Sequence, residues 1–317
     1  MKQIVILSGK GGTGKTTIAA ALAHLASRKA SIVLADLDVD AANLELVLAP
    51  RALESHEFVG GKKAVIDPEL CIACGTCAEV CRFEAVSPHP TPWPPPLSQN
   101  WERGGGGGEA AGGEVRAYFI DPIACEGCAV CFYQCPAGAI RLEEPVVGRW
   151  FRSETRFGPL FHAQLFAGEE NSGKLVTVVK QQARLAALDL GADYLILDGP
   201  PGIGCPVIAA SAGADLALIV TEPTVAGIHD LERALATTDH FGVPALVVIN
   251  KHDLSPAKSR EIADYCAARG IEMVGRVPYD AVVTEAMVQG LPVTEYEDGP
   301  VSRELGRVWE RIKARLD

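Results

Sequence analysis

The sequence contains no apolar run approaching the roughly 20 residues that a bilayer crossing requires, so no membrane span is expected. Its first residues, Met1 to Leu7, run straight into a strand-like stretch and a glycine-rich turn. They form no basic region with an apolar core and a cleavage site, and a cytoplasmic location is the expectation. Positive charge is in deficit: 29 Lys and Arg stand against 40 Asp and Glu, a formal net charge of −11. A general nucleic-acid binder would show a basic face, so no nucleic-acid partner is expected. Without a secretory context, the ten cysteines point to metal or cluster ligation rather than disulfides. What is plentiful is apolar: 48% hydrophobic residues over 317 can bury a sizeable core, and the length suggests about two domains.

Short apolar runs at Gln3–Leu7, Ile32–Leu34, Tyr194–Leu197, Leu216–Val220 and Leu246–Ile249 read as buried parallel strands. Helical patterns lie between them, at Lys15–Ser27, Lys174–Leu190, Ile228–His240, Pro256–Arg269 and Ser302–Leu316. The alternation predicts an α/β fold with a doubly wound, mostly parallel sheet. The pattern stops near Leu48 and resumes near Leu175. The expected organisation is a discontinuous domain, residues 1–55 and 150–317, with an inserted α+β domain at 56–149.

Gly9-Lys10-Gly11-Gly12-Thr13-Gly14-Lys15-Thr16 fits the phosphate-binding pattern G-x-x-x-x-G-K-[ST], followed by Thr17. It follows a strand and opens a helix. Its backbone N–H groups can curl around phosphate oxygens, and the helix N-terminus adds its positive end. Lys15 would reach the outer phosphates, and the Thr16 hydroxyl would bind Mg²⁺.

With the second lysine, Lys10, the loop resembles that of the deviant-Walker ATPases, the superfamily of MinD, ParA and the nitrogenase iron protein. The resemblance implies that Lys10 reaches a partner's nucleotide across a dimer, made of two copies or of a copy and a paralogue. It also implies two switches. In Asp36-Leu37-Asp38, Asp36 would support the metal shell and Asp38 would orient the attacking water. In Asp198-Gly199-Pro200-Pro201-Gly202, Asp198 would hold Mg²⁺ through water and Gly202 would offer its N–H to the γ-phosphate. Asn250-Lys251-His252-Asp253 sits where the family contacts adenine, yet Asn-Lys-x-Asp is also similar to a guanine-reading motif. ATP is the expected nucleotide. Asp253 is either a base contact or a solvated turn residue.

The intervening segment repeats itself at an offset of 54 residues. Cys71, Cys74, Cys77 and Cys81 recur as Cys125, Cys128, Cys131 and Cys135. Both halves read C-x₂-C-x₂-C-x₃-C, the spacing of two-cluster bacterial ferredoxins, in which the fourth cysteine ligates the other cluster. One [4Fe–4S] cluster would take Cys71, Cys74, Cys77 and Cys135, and the other Cys125, Cys128, Cys131 and Cys81. Zinc is the weaker alternative, because zinc ribbons use separated C-x₂-C pairs. The Pro- and Gly-rich stretch Ser87–Glu114 reads as a disordered excursion, with Trp93 and Trp101 as possible docking points. Cys205 and Cys266 read as buried small hydrophobes.

Nearly the whole chain resembles MinD-superfamily ATPases that carry an inserted ferredoxin domain. Three functions are compatible with that: nucleotide-gated electron transfer to an unidentified redox partner, an Fe–S carrier or scaffold of the Mrp type, or a positioning ATPase with redox-sensing clusters. Mrp-type carriers hold a transferable cluster on a C-x-x-C pair towards the C-terminus. This chain has only Cys205 and Cys266 after Cys135. The last helix resembles MinD's membrane helix in being amphipathic. No flexible linker precedes it, so docking on the sheet is expected.

Overall fold

The computed structural model describes residues 1–89, 117–169 and 171–316. In chain order the elements are β1 (Lys2–Ser8), α1 (Lys15–Ser27), β2 (Ile32–Asp36), α2 (Leu44–Leu48), β3 (Arg51–Val59), β4 (Lys63–Ile66), α3 (Thr76–Glu79) and β5 (Val86–His89). There follow β6 (Ala117–Ile120), α4 (Val130–Gln134), β7 (Ile140–Glu143), β8 (Val146–Thr155), β9 (Gly158–Leu165), α5 (Ser172–Asp189) and β10 (Tyr194–Pro201). The chain then alternates through α6 (Cys205–Ser211), β11 (Leu216–Thr221), α7 (Gly227–His240), β12 (Ala245–Asn250), α8 (Pro256–Ala268) and β13 (Glu272–Val277). It closes with α9 (Val282–Val288), α10 (Val293–Tyr296) and α11 (Pro300–Leu316).

Two compact units emerge. The first comprises Met1–Phe58, Gly148–Leu165 and Asn171–Asp317; the second is Val59–Val147 with Phe166–Glu170.

The first unit is built on a nine-stranded sheet in the order β13-β12-β11-β1-β10-β2-β9-β8-β3. The strands from β13 to β9 run parallel, and β8 is antiparallel to β9. Strands β1, β10 and β11 are buried along almost their whole length, which is why they read as continuous apolar runs rather than alternating ones. Helix α1 is enclosed on nearly every side: Ala19, Ala20, Ala21, Leu22 and Ala23 are all fully buried. Small side chains let it lie close to the sheet and to its helical neighbours. Helix α11 buries Val301, Leu305, Val308, Trp309, Ile312 and Leu316 in the same core. Its apolar stripe is consumed by packing, as the docking expectation required. No helix among the described residues is long and apolar enough to cross a membrane.

Four strands of the sheet escaped the sequence reading, β13 at one edge and β3, β8 and β9 at the other. The sheet does not stop near Leu48, since β3, β8 and β9 extend it. Strand β3 exposes every residue except Phe58, so it carries no apolar run to announce it. Arg156 and Phe157 form the turn between β8 and β9. There Arg156 donates to the Leu48 carbonyl (3.0 Å), to the Gly290 carbonyl (3.3 Å) and to Glu295 (2.7 Å).

The second unit holds two antiparallel pairs, β4 with β7 and β5 with β6. Its elements repeat as the cysteines do: β4, α3 and β5 recur as β6, α4 and β7 at the same offset. The tertiary contacts repeat too. Asp67 N–H donates to the Ala139 carbonyl (2.7 Å), and Asp121 N–H donates to the Ala85 carbonyl (2.8 Å). Each half thus closes on the other. Ser87–His89 pair with Ala117–Phe119, so the expected excursion is not loop at its start. A deletion beginning at Ser87 would remove half of that pair. The rest of the excursion, with Trp93 and Trp101, lies outside the described residues.

Candidate functional site

The carboxyl ends of the central strands converge on one place. The loop from Gly9 to Gly14 leaves β1, Asp36 ends β2, Asp198 lies in β10, and Asn250 ends β12. Asp198 and Asp36 are register partners on adjacent strands. Beside them opens a cavity of about 470 Å³, lined by Gly11, Gly12, Gly14, Lys15, Thr16, Thr17, Asp38, Asn43 and Asn250, among others. A crevice outside the carboxyl ends of a parallel sheet is where such folds take ligands.

The loop is closely fitted. Gly14 has φ +90°, and a Cβ there would strike the Asn250 amide. That amide donates to the Thr13 carbonyl at 2.8 Å, tying the end of β12 to the loop. Lys15 is buried, and burial lowers its pKa against the pull of Asp198, Asp38 and Asp36. Asp198 is buried with neither oxygen in a hydrogen bond of good geometry. Burial pushes its pKa up to about 7, although Thr16 and Lys15 draw it down. A buried carboxylate with two unpartnered oxygens, next to a threonine at the head of a helix, fits a Mg²⁺ site. Asp38 lines the cavity, and burial raises its pKa despite Lys15.

Several expected site residues sit differently. Asp36 accepts backbone N–H bonds from Asp38 (3.0 Å), Asn43 (3.0 Å) and Leu44 (2.9 Å). It organises the switch loop with the oxygens a metal shell would need, which leaves Asp198 as the better metal partner. Gly202 N–H donates to the Ser8 carbonyl at 3.0 Å, so a γ-phosphate contact requires that bond to open. Gly9, Lys10 and Thr13 line a small cleft with Glu222 and Asp230, not the large cavity. Lys10 pairs in cis with Glu222 (3.5 Å), which also holds Lys251 at 2.6 Å. That gives the Thr221-Glu222-Pro223-Thr224 stretch a role its sequence did not reveal.

Asp253 does not line the cavity; its carboxylate accepts the Tyr279 N–H at 2.7 Å. In this arrangement it caps the loop after β13. The cavity wall comes instead from Val277, Pro278, Tyr279 and Asp280 after β13. The only trace of this in the sequence is a turn signal after an apolar strand. Asp253→Ala should therefore change the ATP-to-GTP preference by less than about threefold, while Asn250→Ala weakens both nucleotides by about tenfold. Competition binding with both nucleotides decides it. A selective loss of GTP in Asp253→Ala would restore the guanine reading.

In the second unit, Cys71, Cys74, Cys77 and Cys135 line one cavity, three from the first half and one from the second. Burial raises the Cys131 thiol, with Cys125, Cys128 and Cys81 acting in the same direction. Burial pushes Cys77 up to about 11, with Cys71 and Cys74 acting in the same direction. None of the ten cysteines forms a disulfide. Among the described residues, no group of three or more His, Cys, Asp or Glu is set to hold a single metal ion. Four thiols around one space fit a cluster in donor chemistry. Cys266 is buried as expected, but Cys205 is exposed at the start of α6.

A glycine-rich loop from a central strand into a helix, with acidic residues on neighbouring strand ends, defines a P-loop nucleotide-binding protein. The chain belongs to the CobQ/CobB/MinD/ParA nucleotide-binding domain family, whose model matches residues 4–293. An uncharacterised protein of Methanocaldococcus jannaschii, MJ0578, is 30% identical over 98% of this chain and 96% of its own. An iron-sulfur cluster carrier protein of Pyrococcus horikoshii is 28% identical over 138 residues, 39% of this chain and 46% of the carrier. The fold is similar to that of the septum site-determining protein MinD from Pyrococcus horikoshii, solved with Mg-ADP. The TM-score is 0.57 at 16% identity, covering 99% of this chain and 97% of that one.

Proposed function

We propose that this chain is a dimerising ATPase whose nucleotide cycle gates electron transfer through two [4Fe–4S] clusters in its second unit. One observation carries the cluster assignment: Cys135 joins Cys71, Cys74 and Cys77 around one cavity from the other half of the repeat. A cluster held by both halves cannot leave without opening the whole unit, which favours a resident redox group over a transferable cargo. Such clusters would supply one-electron chemistry.

The protein's own residues do the phosphate work. The loop N–H groups and Lys15 hold the triphosphate. Thr16 and Asp198 would hold Mg²⁺. Asp38 accepts a hydrogen bond from the attacking water as its oxygen bonds to the γ-phosphorus and the bond to the bridging oxygen breaks. Positioning and charge neutralisation suffice for this transfer. Lys10, once released from Glu222, is free to cross to a partner's nucleotide.

The carrier reading draws support from the relatives named iron-sulfur cluster carriers. An anaerobic redox titration with and without a non-hydrolysable ATP analogue, beside an iron-transfer assay to an apo-acceptor, separates the two. Gating predicts an analogue-dependent change in a cluster's potential or oxidation rate, lost in Lys10→Ala. Unchanged potentials and rates, with ATP-stimulated loss of iron to the acceptor, would favour the carrier.

A further inference from the structure

We propose that the β8–β9 hairpin transmits the state of the first switch to the second unit, with His162 as the positioning residue at the joint. This rests on the reading that nucleotide and second unit are coupled, and it names the part that couples them.

The switch side is short and stiff. Asp36 gathers the N–H groups of Asp38, Asn43 and Leu44, and Leu44 opens α2. A change around Asp38 must therefore move α2. That helix is fastened to the hairpin at both ends. At its start, Glu45 meets His162 Nδ1 at 3.1 Å, and His162 Nε2 lies 3.0 Å from the Ser153 hydroxyl. At its end, the Leu48 carbonyl accepts from Arg156 at the hairpin turn. A third link bypasses α2: Leu165 N–H, at the last residue of β9, donates to the Val39 carbonyl next to Asp38 (3.0 Å).

Burial lowers the pKa of the His162 ring against the pull of Glu45, and a neutral ring that donates from Nδ1 to Glu45 accepts from the Ser153 hydroxyl at Nε2. Ser153 and His162 are 1% and 7% exposed, and the ring stacks on Phe151 at 5.1 Å. Neither polar group can turn to water, so breaking the chain leaves a buried group unpaired. The hairpin and α2 thus move together or exchange between discrete arrangements, as a coupling element must.

The other ends of the same strands lead into the second unit. Strand β8 starts at Val146, inside that unit, and the residue after β9 is already part of it. Strand β3 leads from α2 to a further crossing after Phe58, and the hairpin supplies the crossings at Val147–Gly148 and Leu165–Phe166.

Hydrogen–deuterium exchange on the full cluster-loaded chain tests this, with and without a non-hydrolysable ATP analogue. In the wild type the analogue should change exchange in the hairpin and in Lys63–Ile66 and Ile140–Glu143. In Glu45→Ala and His162→Phe, analogue affinity should stay within about threefold, while the response at those two segments falls by about fivefold or more. Glu45 has a side chain 41% exposed, so its alanine variant keeps the fold even if His162→Phe does not. Full response in both variants, or in Glu45→Ala alone where His162→Phe does not fold, would overturn the transmission route and leave the gating intact. No response in the wild type would overturn both.

Discussion

Lys15→Ala should weaken triphosphate binding by at least about 100-fold. Truncating one partner of a buried, hydrogen-bonded charge pair costs about 2–5 kcal/mol or more, and each 1.4 kcal/mol is tenfold. Lys15 is buried beside Asp198, Asp38 and Asp36, so its loss removes the phosphate's cation and leaves three carboxylates facing the same space. Asp38→Ala should behave in the opposite way: binding is kept and hydrolysis slows. Calorimetric binding beside single-turnover hydrolysis checks both. Equal hydrolysis rates in wild type and Asp38→Ala would remove Asp38 from the site.

The same burial gives the nucleotide-free protein a pH dependence. Asp198 is pushed up to about 7 from its ordinary 3.8. A carboxyl raised on folding holds its proton more tightly in the native state, so its contribution to stability is full below 3.8 and is lost as pH rises from there to about 7. Mg²⁺ needs the deprotonated form. The nucleotide-free protein should therefore lose stability, and Mg²⁺-dependent nucleotide affinity should rise, over the same interval.

Anaerobically prepared protein should contain about eight iron and eight sulfide per chain, and Cys135→Ser should remove about four of each. The crossed ligation makes a sharper test. Replacing Cys71, Cys74 and Cys77 together by Ser should leave about four iron. Adding Cys135→Ser to that triple variant should do no further harm, because its cluster is already gone. Adding Cys81→Ser should remove the rest. Residues serving one site are non-additive, whereas those serving two sites add. If Cys81→Ser proves silent in that background and Cys135→Ser destructive, each motif holds its own cluster. Zinc without sulfide would overturn the cluster assignment outright.

The sequence by itself determined the phosphate loop, the parallel strands around it and the twofold repeat. These are local signals. The loop's glycines and lysine are contiguous, and strands buried on both faces are apolar throughout. The cysteine register survives because both halves solve the same folding problem at the same spacing. Tertiary structure alone decided the rest. Asp253 could be assigned only once the loop it caps, 26 residues later, was in place. Glu222 gained a role because two lysines from distant strand ends meet on it. Strands β3 and β8 stayed hidden because a wet face leaves no run of apolar residues, and β9 because His162 and Gln164 break up its apolar residues. The chain from Glu45 through His162 to Ser153 joins three elements more than 100 residues apart at its extremes. No spacing rule can announce such a contact, because only the folded sheet brings those side chains together and removes the water that would otherwise satisfy them.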